Sequence, residues 1–170
     1  MTETPRDSKD WTVVIEDGCD ECGYVPHDPA WTSERLLALP ERWERVLRTD
    51  DVRERPADGV WSPLEYACHS RDIVRLLRDR VALILNDQKT FDDFDGEREA
   101  VEGRYAEADP EIVVEELAEL IESTVAVYGR VGETDWGRAG YRTDGRALTI
   151  ADLSRYLLHD LEHHLADVEG

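Results

Sequence analysis

The segment LLHDLEHHLADV, residues 157–168, holds three of the chain's five histidines and interleaves them with three carboxylates. Residues 151–169 contain neither glycine nor proline and are rich in Ala, Leu, Glu and Arg, which favours a helix. Side chains four residues apart share one face of a helix. The histidines therefore form two separate groups, His159 with His163 and Asp160 with His164.

At about 100° per residue, these two groups point in different directions. An apolar arc faces the predicted core and consists of Ile150, Leu153, Leu157, Leu161, Leu165 and Val168. Asp160 and His164 lie at the edge of that arc, whereas His159 and His163 lie nearly opposite. A carboxylate and an imidazole at this spacing suit a divalent metal, and a buried hydrogen-bonded Asp–His pair is the alternative.

Three further amphipathic helices are predicted upstream. The first begins with Thr32 or Ser33 as its cap and is interrupted by Pro40. The second begins at Ser62-Pro63 with a capping box to Glu65 and runs to about residue 86, and the third begins at Asp109-Pro110 and ends at Gly129. Four such helices predict an all-α four-helix bundle over residues 32–170, preceded by an N-terminal extension over residues 1–31.

The connecting segments are long for a minimal bundle. Residues 87–109 are typical of a lid or crossover, with a short helix near 97–104, and residues 133–147 predict a hairpin-like loop. In the extension, residues 11–15 predict a short strand, and Pro26 and Pro29 exclude a regular helix. Thr149 is the predicted cap of the last helix.

Composition limits the partners. Forty acidic residues oppose 20 basic ones, for a net charge of −20, and such a surface repels nucleic acid and anionic membranes. No apolar run approaches a membrane span, and the polar N-terminus is unlike a signal peptide. We expect a cytoplasmic monomer or homodimer that acts on a small molecule.

The stretch Trp61-Ser-Pro-Leu-Glu-Tyr-Ala-Cys-His69, followed by Asp160-x-x-x-His164-x-x-Asp167, resembles the DinB/YfiT-like superfamily. That superfamily includes mycothiol-dependent maleylpyruvate isomerases and bacillithiol transferases, and its members are four-helix bundles with a crossover. The resemblance covers about residues 32–170. It implies a zinc or nickel ion that is held by three side chains and activates a low-molecular-weight thiol.

Carried over to this chain, the implied ligands are His69, Asp160 and His164. The chain departs from the family pattern at Asp160, where His or Glu is usual, because the aspartate arm is one methylene shorter than that of glutamate. Asp72 and Asp167 are predicted to orient the imidazoles. A register shift by one residue would make His159 and His163 the pair instead, but it would turn the leucine stripe away from the core.

The extension supplies a second candidate site. Cys19-x-x-Cys22-Gly23, combined with His159 and His163, gives the ligand set of a tetrahedral structural zinc, with the extension wrapped over the last helix. A redox pair or inert thiols are the alternatives for the cysteines, and a solvated face is the alternative for the histidines. His27 is a substitute ligand for either histidine. Cys68 is predicted to be a small core residue.

Two functions remain open from the sequence. The first is a metal-dependent thiol transferase or isomerase of a small electrophile, with no catalytic residue assigned beyond the metal ligands. The second is a non-enzymatic scaffold in which a Cys/His zinc only holds the extension, and which binds a small molecule or a partner.

Overall fold

In the computed structural model, residues 9–169 are described. The elements follow the chain in this order: a 3-10 turn Trp11–Val13, α1 Val14–Asp17, a 3-10 turn Pro29–Trp31, α2 Thr32–Leu37, α3 Leu39–Leu47, α4 Pro63–Leu85, α5 Gly96–Glu102, a 3-10 turn Tyr105–Glu107, α6 Pro110–Tyr128, β1 Ala139–Tyr141, β2 Ala147–Thr149 and α7 Ile150–Glu169. The polar residues 1–8, and with them the expectation that no signal peptide is present, lie outside the described residues.

The three long helices begin at the predicted caps. At the start of α4, the Glu65 amide donates to Ser62 Oγ at 3.2 Å and the Ser62 amide donates to Glu65 Oε2 at 2.8 Å. Asp109 caps α6 in front of its first-position proline. At α7 the Asp152 amide donates to Thr149 Oγ1 at 3.0 Å, and the Thr149 amide donates to Asp152 at 2.9 Å. These bonds satisfy amides that a helix terminus leaves unpaired.

The first helix differs from its prediction. Thr32 is the first residue of α2 and Trp31 makes no side-chain cap bond, so the predicted cap is wrong. The helix breaks at Ala38 and resumes as α3 with Pro40 in its first turn, where a missing amide hydrogen is tolerated. Pro40 thus accounts for the predicted interruption.

Four helical units form the bundle: the α2–α3 pair, α4, α6 and α7. Helix α4 packs against both α6 and α7, and α2–α3 packs against the same two helices from the other side. Helices α6 and α7 therefore occupy opposite corners, and residues 129–149 cross the bundle between them. Apolar stripes of all four units meet in one core, whose most deeply buried members include Trp43, Leu117, Ile121 and Leu157. The all-α four-helix bundle with a crossover is confirmed.

The described part of the extension, residues 9–31, packs on α7 and contributes to the same core. The predicted strand at residues 11–15 is wrong, because this stretch forms a 3-10 turn followed by α1. Val14 and Ile15 are buried against the bundle. These apolar side chains project from a helical turn and anchor the extension to the bundle.

The two long connections adopt the predicted short elements. Helix α5 lies in the connection that follows α4, and β1 pairs antiparallel with β2 in the register Gly140↔Leu148. Arg138 donates to the Ile84 carbonyl at 2.7 Å, which joins this hairpin to the end of α4. No helix within residues 9–169 combines the length and apolar character that a membrane crossing requires.

Candidate metal centres

The packing of α4 on α7 brings three predicted ligands together. His69 lies near the start of α4, and Asp160 and His164 lie one turn apart in the middle of α7. Asp160 Oδ2 is 3.7 Å from His69 Nε2 and 3.7 Å from His164 Nε2. One ligand atom from each of the three residues lies within 4.8 Å of the other two. We call this group the His69 centre.

These separations are longer than hydrogen bonds, which rarely exceed about 3.2 Å. Three atoms that share one ion at about 2.0 to 2.2 Å stand roughly 3.3 to 3.6 Å apart. The Asp160–His69 and Asp160–His164 distances are therefore close to those of a shared cation. The aspartate arm, although short, brings its oxygen to the centre of the group.

Asp160 Oδ2, the carboxylate oxygen of the His69 centre, is fully buried and has no hydrogen-bond partner within residues 9–169. His69 Nδ1, the ring nitrogen that does not face Asp160, is likewise buried and unpartnered there. Leaving such groups unsatisfied costs free energy, most of all for a charged oxygen. A divalent cation bound to Asp160 would supply the missing interaction, so the donor set fits a metal.

The two predicted orienting carboxylates have different surroundings. Asp167 Oδ2 lies 3.2 Å from His164 Nδ1, the nitrogen that points away from Asp160, and so holds that imidazole as predicted. Asp72 accepts hydrogen bonds from Arg71, Arg75 and the Tyr105 hydroxyl, and within residues 9–169 it accepts none from an imidazole. Its negative charge acts on His69, and its role in orienting that imidazole stays a prediction.

The two imidazoles of the His69 centre differ in their proton affinity. Burial lowers the pKa of His69 to about 4, which leaves it neutral and able to bind a cation at neutral pH. Burial also acts to lower the pKa of His164, but Asp160 and Asp167 outweigh it and raise the pKa above its usual value. A metal ion must therefore compete with a proton for His164 more strongly than for His69.

The His69 centre opens into a cavity of about 580 Å³. Its walls are mainly aromatic and include Trp11, Trp61, Tyr66, Phe94 and Tyr156. Sequence reasoning did not assign Tyr66 or Phe94 to the site. The i−3 spacing of Tyr66 before His69 was an available signal, since such residues share a helix face. Phe94 carried none, because it lies in an irregular connection.

The segment before α5 closes one side of this cavity. A Cβ atom on Gly96 would lie 3.3 Å from His69 Cε1, so glycine lets the backbone approach the imidazole closely. Asp95 and Glu97 flank it and also line the cavity. The predicted lid or crossover over residues 87–109 therefore contributes directly to the site.

A second cluster lies on the neighbouring face of α7. Cys19, Cys22, His159 and His163 each place a ligand atom within 4.8 Å of the others, and Cys19 Sγ is 3.6 Å from His163 Nδ1. We call this group the Cys19 cluster. All three cysteines, including Cys68, are free thiols.

A tight turn presents the two sulfurs. The Cys19 amide donates a hydrogen bond to the Tyr24 carbonyl at 2.9 Å, and the Gly23 amide donates to the Cys19 carbonyl at 2.8 Å. Gly23 adopts φ +77°, which other residues rarely tolerate. Burial raises the pKa of the Cys22 thiol to about 11, while an amide hydrogen bond from Tyr24 acts in the opposite direction. The turn thus directs an amide at a sulfur, as predicted from the glycine.

The histidines of the Cys19 cluster are covered by the extension. His159 is 3% exposed and stacks on Trp11 with ring centroids 5.6 Å apart, and Tyr24 meets its edge at 5.3 Å. His163 contacts Trp11 edge-on at 5.0 Å. The alternative of a solvated face is therefore wrong. The sequence suggested a solvated face because the four bundle helices alone do not cover these histidines, whereas the folded extension does.

The two remaining predictions concern residues outside both clusters. His27 is not part of the Cys19 cluster, because its nitrogens pair with the Tyr24 hydroxyl at 3.0 Å and with Thr32 Oγ1 at 2.8 Å. The prediction of His27 as a substitute ligand is therefore wrong. Cys68 is fully buried in the core, as predicted.

The fold and the ligand groups define a helical bundle with two candidate metal centres, each of which takes two ligands from α7. Residues 21–168 match the model of the DinB superfamily, and the chain belongs to that superfamily. The structure is similar to that of YfiT from Bacillus subtilis, described as "a probable metal-dependent hydrolase with an unusual four-helix bundle topology". The TM-score is 0.74 at 21% sequence identity, over 83% of each chain. No curated protein matches the sequence significantly.

Proposed function

We propose that the His69 centre binds a divalent zinc or nickel ion and that the protein is a metal-dependent thiol transferase or isomerase of a small electrophilic molecule. The observation that carries the proposal is the convergence of His69, Asp160 and His164 on one point, where Asp160 Oδ2 is buried without a partner. Membership in the DinB superfamily supports it.

Three protein ligands leave coordination positions open, which is the arrangement of catalytic rather than structural sites. A metal bound here would act as a Lewis acid and lower the pKa of a thiol or water molecule that enters from the cavity. The description of the Bacillus subtilis protein as a probable hydrolase supports water as the alternative nucleophile.

The chain's own residues prepare the site. The neutral imidazole of His69 offers a lone pair without first losing a proton. Asp167 favours one tautomer of His164 by accepting a hydrogen bond from Nδ1–H, which leaves the Nε2 lone pair free on the side of Asp160. Trp61 packs on the His69 ring at a centroid distance of 5.2 Å and restricts its rotation.

The walls of the cavity indicate the class of substrate. A volume of about 580 Å³ suits a small molecule together with a thiol, and the aromatic walls exclude water from the reacting groups. Carboxylates of Asp95 and Glu97 line the cavity in a chain of net charge −20. They favour a neutral or cationic substrate over an anionic one.

The test begins with chelator-treated protein. Titration with Zn²⁺ or Ni²⁺ is expected to show a binding event that His69→Ala and His164→Ala abolish. His27→Ala is the matched control, because this histidine lies outside both clusters, and it is expected to keep that event. Unchanged stoichiometry in both ligand variants would contradict the proposal.

Activity is tested with small electrophiles and low-molecular-weight thiols, by following loss of free thiol for transfer and conversion of the electrophile for isomerisation or hydrolysis. Turnover that disappears on chelation and in His69→Ala, and that returns with metal in the wild-type protein, is expected. Metal binding without turnover across thiols and water would instead favour the scaffold, in which the cavity binds a small molecule or partner without transforming it.

A further inference from the structure

We propose that Cys19, Cys22, His159 and His163 form a second, closed zinc site that fastens the N-terminal segment to α7. This site is distinct from the His69 centre and does not depend on it. Its ligands come from two parts of the chain, the turn around Cys19 and the face of α7 next to the one that carries Asp160 and His164. The proposal rests on the geometry, hydrogen-bond partners and charge of these four side chains.

The spacing of the ligand atoms suits a tetrahedral ion. With Zn–S near 2.3 Å and Zn–N near 2.0 Å, sulfur and nitrogen ligands stand about 3.5 Å apart. Cys19 Sγ and His163 Nδ1 are 3.6 Å apart, and all four ligand atoms lie within 4.8 Å of one another. The Cys19–His163 pair already has this separation, and the other pairs would need to contract by no more than roughly 1.5 Å to complete the site.

The other nitrogen of His163 is placed as in a zinc ligand. Nε2 lies 3.8 Å from Asp167 Oδ2 and 3.9 Å from Glu21 Oε2. These separations are longer than hydrogen bonds, but they place two carboxylates beside Nε2, where zinc-bound histidines commonly have them. Nδ1 is the ring nitrogen that faces Cys19.

His159 provides an independent observation. Its Nε2 is fully buried and has no hydrogen-bond partner within residues 9–169, although stacking on Trp11 and Tyr24 fixes the ring. A buried imidazole nitrogen without a partner is costly unless an ion satisfies it.

The charge and number of ligands identify the ion and its role. Two thiolates and two neutral imidazoles cancel the charge of Zn²⁺, so the loaded site can be buried without an uncompensated charge. Thiolate ligands select a thiophilic ion, and four protein ligands leave no open position. Each thiol releases its proton to solvent as the metal binds. The role is therefore structural.

The site fastens the described part of the N-terminal extension, residues 9–31, to the bundle. The turn around Cys19 connects α1 to α2, and Trp11, just before α1, lies over His159 and also lines the cavity of the His69 centre. Zinc at the Cys19 cluster therefore holds a wall of that cavity in place.

Thiol reactivity in the native wild-type protein tests the proposal without any substitution. Zinc-loaded protein is expected to protect Cys19 and Cys22 from a thiol reagent, and chelation is expected to expose both, as assigned by peptide mapping. Equal reactivity of both cysteines before and after chelation would overturn the proposal, as would a Cys19–Cys22 disulfide in zinc-loaded protein.

Cobalt substitution then identifies the ligands. A tetrahedral thiolate site is expected to give intense visible absorption and a sulfur-to-cobalt charge-transfer band, which Cys19→Ser and Cys22→Ser abolish. Cys68→Ala is the matched control and His69→Ala separates the two centres, and both are expected to keep the band. A band that survives Cys19→Ser, or is lost in Cys68→Ala, would overturn the assignment, with circular dichroism confirming that each variant is folded.

Discussion

Asp167→Asn isolates the contribution of an orienting carboxylate to metal binding at the His69 centre. Asp167 Oδ2 is 3.2 Å from His164 Nδ1, and its negative charge stabilises the tautomer that directs Nε2 towards Asp160. An amide has nearly the same shape but lacks the charge. Loss of such an orienting partner reduces metal affinity about 10- to 100-fold, or about 1.4 to 2.7 kcal/mol.

The side chain of Asp167 is 37% exposed, so solvent screens its charge and we expect the weaker end of that range. A ligand at 100 times its dissociation constant stabilises the folded state by about 2.7 kcal/mol. A tenfold loss of affinity reduces this gain to about 1.4 kcal/mol at the same free metal concentration. At about 2 to 4 °C per kcal/mol, the metal-induced rise in Tm falls from about 5–11 °C to about 3–6 °C.

Calorimetric titration of chelator-treated protein measures the affinity, and thermal unfolding measures the Tm. The binding phase of the His69 centre is the one that His69→Ala removes. Asp79→Asn is the matched control, since Asp79 pairs with Arg78 on the surface of α4, away from both clusters. An affinity in Asp167→Asn equal to that of the wild type would refute the role of the His164–Asp167 contact.

Two further predictions concern the metal-free protein. Its stability is expected to fall as pH decreases from 6.5 towards 4. Burial lowers the pKa of three histidines in the folded chain to about 4: His27, His69 and His159. Below pH 6.5 the unfolded chain therefore binds protons at these residues that the folded chain does not bind. The raised pKa of His164 stabilises the folded state as pH falls, but this is one histidine against three. Urea midpoints that stay constant from pH 7 to 5 would therefore contradict the expected loss of stability. Separately, Gly140→Ala would place a Cβ 2.2 Å from Phe91 Cζ and is expected to cost about 1 to 3 kcal/mol. Gly137→Ala has open space as its control, and equal urea midpoints for the two variants would exclude the clash.

The helices and their caps could be predicted because they depend on local chemistry. Ser62, Asp109 and Thr149 carry side chains that satisfy amides within three residues, and the apolar periodicity of α4, α6 and α7 is uninterrupted. The same local logic separated Asp160 and His164 from His159 and His163. The spacing of residues on one helix therefore predicted the α7 ligands of both the His69 centre and the Cys19 cluster.

The errors share a different origin, which is contact between distant parts of the chain. Residues 11–15 resemble a strand by composition, but tertiary packing on α7 selects a helical turn. The partners of Asp72 include the Tyr105 hydroxyl, 33 residues further along the chain, which the position of Asp72 on α4 does not reveal. Likewise, the burial of His159 depends on Trp11, which is 148 residues away along the chain.

Anomalous scattering from crystals grown with zinc tests the central claim most directly. A peak at the zinc edge is expected about 2.0 to 2.2 Å from His69 Nε2, Asp160 Oδ2 and His164 Nε2, with open coordination towards the cavity. Crystals of zinc-saturated protein with no peak between these three atoms would contradict the assignment of the His69 centre, whatever the occupancy of the Cys19 cluster.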